Sequence, residues 1–474
     1  MVQTYPAPQG ISASPDFQVK VDGQPVFVYN PSVRINRDHP SSNMGVAIFD
    51  FTGSVTVTVT AQAGLERLVI RPKRLQIKPQ IDGHTATFTL SQPCKITFEP
   101  DNVEKTNALA IFAGEPLQDE PLPGAPKLRY FGPGVHDAGV VQMQSGWTYW
   151  LAGGAYVRGH FQGAGLKNVK IRGRGVLDRL GSNLYKGGPA SLQENPTIEF
   201  KDDRRHFIAL EGCQDVLIEG ITLLNGPGWA LVPWACQDVV IRGIGLIADG
   251  ANSDGIDICS CQRVLVEDVF VRNWDDCVVI KAKQMHGGGD CSDITVRHSV
   301  FWVDLAQGLE IGFECECAHI KHIVWSDIDI IHQHHNCAIS IHNAGSAWVQ
   351  DVLYEDIRIE DLDPERFRPE RRSDLASNVM RLIDLWVGET PWWSDEGGRG
   401  RISQVRFKNI SITTVGALIP PSRAAGFKAG HEVEDVVFEG LRINGALVAS
   451  AAEMGLMVDE KTARGVQFVL PGQA

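Results

Sequence analysis

Three aspartates in two short motifs hold the most reactive chemistry in this sequence. The run ADGANSDGIDI places Asp254 at a turn just before a strand-like stretch, and VRNWDDCVVI places Asp275 and Asp276 at the same point of the next. Asp254 and Asp275 are 21 residues apart, about one turn of a solenoid. Like charges brought this close raise at least one pKa, so one carboxyl stays protonated near neutral pH beside an ionised neighbour. A carboxylic acid paired with a carboxylate is what glycoside hydrolysis needs. Asn, Asp and Gly are also default turn residues, so either motif alone reads equally as turn chemistry. The pair, one coil apart, points to catalysis.

Something must bring those motifs together. Short β-rich units recur along the second part of the chain: NVKIRGRGVLD, DVLIEGITLLN, DVVIRGIGLIA, RVLVEDVFVRN, DITVRHSVFWV, HIVWSDIDIIH, DVLYEDIRIED, QVRFKNISITT and DVVFEGLRING. Their cores are β-branched and lack helical periodicity, which predicts a solenoid. The Leu-x-x-Leu-x-Leu signature of leucine-rich repeats is missing, and Val and Ile dominate instead. A right-handed parallel β-helix fits, with each strand stacked about 4.8 Å from its counterpart one coil away. Matching positions then form ladders inside the coil and arrays outside it, and the outer array can build a groove.

The cysteines follow the same repeat. Cys213, Cys236, Cys261, Cys291 and Cys317 each precede a strand-like run, at spacings of 23, 25, 30 and 26 residues. They read as one buried position stacked along the coil, as reduced thiols rather than disulfides or metal ligands. In an extended backbone, the pairs Cys259/Cys261 and Cys315/Cys317 would each point both side chains to one face.

Residues from about 15 to 120 alternate in the β manner, in FQVKVDG, VAIFDF, SVTVTVTA, TATFTL and CKITFEP. This predicts an N-terminal antiparallel β-sandwich over residues 1–125. The Pro- and Gly-rich stretch 114–134 reads as the linker, and residues 126–474 as the β-helix domain.

Net charge is −13, which does not favour nucleic acid, an anionic membrane or a polyanionic polysaccharide as partner. MVQTYPAPQG has no basic stretch leading into an apolar one, and no run of 18 apolar residues occurs. The protein is expected to be cytoplasmic, or secreted after removal of a signal. The sequence is silent on oligomeric state.

The run NGPGWALVPWACQDVVIRGIGLIADGANSDGIDI, followed by NWDDCVVI, resembles the polygalacturonase family of glycoside hydrolases. That family carries an NTDG motif one coil before a DD motif. The related dextranase and isopullulanase family shares the three aspartates and adds an N-terminal β-sandwich. The resemblance spans most of residues 135–445. It implies Asp275 as general acid, Asp254 and Asp276 as the groups that activate water, and inversion at the anomeric carbon.

The departures concern substrate. Where polygalacturonases carry GHG this chain reads AQGLEIG, with Gln307 in place of the histidine. Where they carry RIK it reads AISIHN, with Ser340 and His342 in place of the cations. Losing that pair loses a charge-assisted grip on a uronate. The expectation is an oligo- or polysaccharide substrate that is neutral and α-linked, as in the dextranase-like branch.

Candidate substrate-binding residues are Asn252, Trp274, Lys281, Gln307, Glu310 and His342. Lys281 and Lys283 follow the Asp pair on its strand and read either as tuning Asp276 by charge or as a solvated face. Trp229, Trp234, Trp386, Trp392 and Trp393 offer rings for sugar faces, although core packing suits Trp229 better. His332, Gln333, His334 and His335 form a short tract that reads as hydrogen-bonded rather than metal-binding. No metal or cofactor is expected. The competing readings are a polygalacturonase-type hydrolase, a pectate-lyase-like enzyme on uronate glycans, and a non-catalytic carbohydrate-binding solenoid.

Overall fold

A computed structural model describes residues 1–34, 42–100, 107–179, 206–226, 228–250, 252–284, 288–363, 380–390, 393, 395 and 397–470. Two sheets of six and five strands form the N-terminal sandwich. Its strands alternate as read from sequence: in Phe17–Val21 and Val55–Ala61 every second side chain is buried. The pairing is antiparallel except between Gly45–Phe51 and Leu109–Gly114, which run parallel. Chain alternation does not encode strand direction, so this pair was not legible.

The remainder is a right-handed parallel β-helix, one network of 30 strands. It opens at Leu128–Phe131, inside the stretch expected to be linker. Leu-Arg-Tyr-Phe are strand formers, and the Pro and Gly residues concentrate before them.

Each coil stacks in register on the next. Val216, Val239, Val264, Ile294, Ile323, Val352, Val405 and Val436 form one internal ladder. Another ends in stacked Trp325, Tyr354, Phe407, Phe438 and Phe468, with centroid spacings of 6.1, 4.9, 4.8 and 4.8 Å. Full burial of such side chains contributes about 1.5–3 kcal/mol each.

The repeat units end where the backbone turns left-handed. The residue that opens each unit has positive φ: Asn168, Asp215, Asp238, Arg263, Asp293, His322, Asp351, Gln404 and Asp435, all between 52° and 58°. Five residues later Asp268, His298, Asp327, Asp356 and Asn409 do the same, with glycine at 220, 243 and 440. Asp, Asn, His and Gly tolerate this region best, which is why they recur at the corners.

All ten cysteines are free. Cys213, Cys236, Cys261, Cys291 and Cys317 lie in the coil's core, and the Cys213 and Cys236 amides donate to the next sulfur, at 3.3 and 3.4 Å. Cys315 and Cys317 share that core, whereas Cys259 and Cys261 do not share a face. Cys259 packs outside the coil with Trp229, Val232 and Trp234. Ser260 between them has φ 52°, so the chain turns a corner where an extended run was expected.

Sandwich and helix meet through a buried seam. Phe112 packs against Phe270 at 5.2 Å. Arg71, fully buried, pairs with Glu99 (3.3 Å), Glu360 (2.6 Å) and Asp361 (2.6 Å). Arg74 reaches Asp329 at 2.6 Å, Arg174 reaches Asp50 at 2.8 Å, and His332 meets Glu99 at 3.0 Å.

Candidate active site

Backbone bonds between coils set the aspartates above one another. The Ala230 amide donates to the Asp254 carbonyl, and the Gly255 amide to the Asp276 carbonyl, both at 2.8 Å. Gly255 is needed for that approach, since a Cβ there would lie 2.4 Å from the Cys277 carbonyl oxygen. Asn273 staples the two turns: its Nδ2 donates to the carbonyls of Ser253 and Asp276, each at 2.7 Å. Ser253 Oγ accepts the Trp274 amide at 3.2 Å.

Asp254 and Asp276 are buried, while Asp275 is half-buried. Asp276 Oδ1 accepts the Gln307 amide at 3.0 Å. Burial pushes both buried carboxyls well above the ordinary carboxylate range. For Asp254, Lys281 opposes the rise while Asp257, Asp275 and Asp276 add to it; for Asp276, Asp275 and Glu310 add to it while Lys281 and the Gln307 amide oppose it. Carboxyls crowded this closely cannot all ionise at neutral pH, so protons are shared among them.

A fourth acid belongs to the group. Asp257 lies on the strand Ile256–Cys259 and is fully buried. Burial raises it to about 6, against the pull of Lys281. The signal was present in the alternation of Ile256, Asp257 and Ile258, which turns the aspartate outward between two core residues.

The expected binding residues divide. Lys281 is buried and donates to Asp254 Oδ2 at 2.8 Å and Asp257 Oδ1 at 2.9 Å, so it faces the acids instead of a ligand. Lys283 pairs with Glu314 at 3.1 Å. Trp274 is buried and presents no open ring face, while Asn252 is exposed at a left-handed turn. Gln307 is buried and acts through its backbone amide. Trp229 is buried, but outside the coil: it packs 6.0 Å from Trp234, and the Lys281 ammonium lies 3.7 Å from its ring centre. Trp392 lies outside the described residues.

Glu310 and His342 meet further along the same strand face. Glu310 Oε2 accepts from Ser340 Oγ, and Glu310 Oε1 lies 3.0 Å from His342 Nδ1. His342 Nε2 is 3.2 Å from Asp384, which also takes two bonds from Arg423 at 2.7 and 2.8 Å. Burial alone would lower the His342 pKa, but Glu310 and Asp384 outweigh it and raise it to about 9. The position that lacked a cation in the sequence therefore holds an imidazolium, neutralised by two carboxylates. Asp384 and Arg423 sit far from the motifs in sequence, and only the stacking of Ser340, Asp384 and Arg423 joins them. Among the described residues, no group of three His, Cys, Asp or Glu is arranged to hold a metal.

Residues 134–365 match the model of glycosyl hydrolases family 28. A polygalacturonase of Chamaecyparis obtusa is 26% identical over 203 residues, 42% of this chain and 38% of that protein. The chain thus matches well under two thirds of that relative's length. Dex49A from Penicillium minioluteum shares the fold across both parts, at TM-score 0.65 and 16% identity, covering 98% of this chain and 96% of that one. An exopolygalacturonase from Thermotoga maritima aligns at TM-score 0.52 and 19% identity, over 73% of this chain and 84% of that one.

Proposed function

We propose that this chain, a polygalacturonase-like parallel β-helix, is an inverting glycoside hydrolase that cleaves α-glycosidic bonds in a neutral oligo- or polysaccharide. The observation that carries the reading is the stacking of Asp254 on the Asp275–Asp276 turn, which gathers three carboxyls from two coils at one place. Half-buried Asp275 is the acid: its proton passes to the glycosidic oxygen as the bond to the anomeric carbon breaks. Asp254 and Asp276 orient a water and take its proton as the oxygen attacks from the opposite face. A single displacement inverts the anomeric centre.

Substrate preference follows from charge. The His342 imidazolium is shared between Glu310 and Asp384 and offers no spare positive charge for a uronate. Buried carboxylates of this kind accept bonds from sugar hydroxyls. The family 28 match and the curated relative favour a second reading, a polygalacturonate-type substrate, with His342 as its residual cation.

Reducing-end release from dextran, pullulan and polygalacturonate separates the two. Turnover on a neutral glucan, with the opposite anomer released first in the NMR spectrum, is the expected outcome. Efficient cleavage of polygalacturonate alone would replace the neutral-sugar reading with the second.

A further inference from the structure

We propose that Lys281 is a positioning residue for this reaction: by bridging Asp254 and Asp257 it fixes Asp254 as the carboxylate that takes the proton from water. The inference rests on the glycosidase reading above and adds the cation that opposes the burial-driven rise of Asp254.

The geometry joins three coils. Lys281 rises from the strand Val278–Ala282 and reaches back one coil, donating to Asp254 Oδ2 at 2.8 Å and to Asp257 Oδ1 at 2.9 Å. Its ammonium also lies 3.7 Å from the centre of the Trp229 ring, one coil further back. Lys281 is only 4% exposed, so its charge acts almost unscreened by solvent. Arg or Lys beside a carboxylate favours the charged form by about 1–3 pKa units.

Asp257 shares this ammonium, and Asp276 feels it without a direct bond. Among the bonds resolved to Asp276, its side chain accepts only the Gln307 amide. The groups facing Lys281 are Asp254, Asp257, Asp276 and Glu314. Lys283, the neighbouring cation, is taken up by Glu314 at 3.1 Å. Asp275 bears on Asp254 as a further negative charge. Lys281 is thus the cation that decides how the protons distribute over the acids. Asp257 holds the ammonium from its other side, so that Asp254 Oδ2 is pinned while Oδ1, buried, has no hydrogen-bond partner among the described residues.

The test reads Asp254 with and without turnover. Infrared titration of the protonated carboxyl stretch, assigned by its loss in Asp254→Asn, gives the ionisation of Asp254 in the folded protein. In Lys281→Met that ionisation should move up by about 1–3 pH units, and the acid limb of kcat/KM should move with it. Lys281→Arg, which keeps the charge, should leave the limb near the wild-type position and lower kcat through altered geometry. If Lys281→Met does not fold, Asp257→Asn frees the ammonium for Asp254 alone, and the ionisation should move down. An Asp254 ionisation unmoved in the folded variant overturns the proposal, even if turnover falls. Wild-type protein that turns over no glycan, yet shows the Asp254 shift in Lys281→Met, would instead remove the glycosidase reading and leave the pairing intact.

Discussion

Two of this molecule's clusters of buried charge differ in their balance. At the seam between sandwich and helix, Arg71 sits among Glu99, Glu360 and Asp361, with Lys73 and His332 alongside. There Asp361 is held down at about 2: burial raises it, and Lys73 and Arg71 more than offset that, although burial still leaves Glu360 above its ordinary range. At the aspartate turns, Lys281 is shared by Asp254 and Asp257 while Asp275 and Asp276 crowd the same place, and the buried carboxyls are pushed up instead. Compensated charge fixes how two domains dock. Uncompensated charge stores protons where chemistry needs them, and such sites are candidates for function on physical grounds.

Removing carboxylates from the aspartate turns should give the largest effects. Asp254→Asn and Asp276→Asn should each cost about 10²–10⁴-fold in turnover, the range of general acid–base catalysis. For Asp276→Asn the thermal midpoint should stay level, because a buried carboxyl that its surroundings already favour protonated is replaced by a neutral amide of the same shape. A large loss of stability there would place these turns with the seam.

The seam should behave the other way. Arg71→Met strands three carboxylates and should cost about 3–5 kcal/mol in denaturant unfolding, with kcat per folded molecule unchanged. Loss of kcat without loss of stability would erase the distinction.

The smallest effect is the opposite sign of pH dependence. Asp361, lowered to about 2, contributes stability that is present above about 4 and is lost as pH falls through 2. Asp257, raised to about 6, contributes stability that is full below about 4 and is lost as pH rises through 6. Asp257→Asn should therefore flatten the fall in thermal midpoint between pH 4 and 6, while Asp361→Asn should flatten the fall below 4. Equal slopes in the two variants would contradict the assignment.

The site was legible where chemistry and repeat coincide. Asp254, Asp275 and Asp276 are marked by turn motifs one coil apart, and the Cys213–Cys236–Cys261 ladder by its spacing. What was hidden depends on coil-to-coil register. Lys281 has no sequence sign that it turns back to Asp254, and Asp384 and Arg423 reach His342 only through strands far along the chain. The left-handed corners account for the Asp and His that open each unit, and for the error at Cys259 and Cys261. Charge at the position of His342 also escaped, because an imidazole's protonation is set by neighbours such as Glu310 that sequence distance does not reveal.

The central claim is that Asp275 delivers the proton at a site whose other acids take one from water. Its most direct test is the turnover of Asp275→Asn on the glycan that the wild type cleaves best, with folding checked by thermal midpoint. The account predicts a loss of at least about 10²-fold with the midpoint unchanged. Near-normal turnover in a folded Asp275→Asn protein would contradict it.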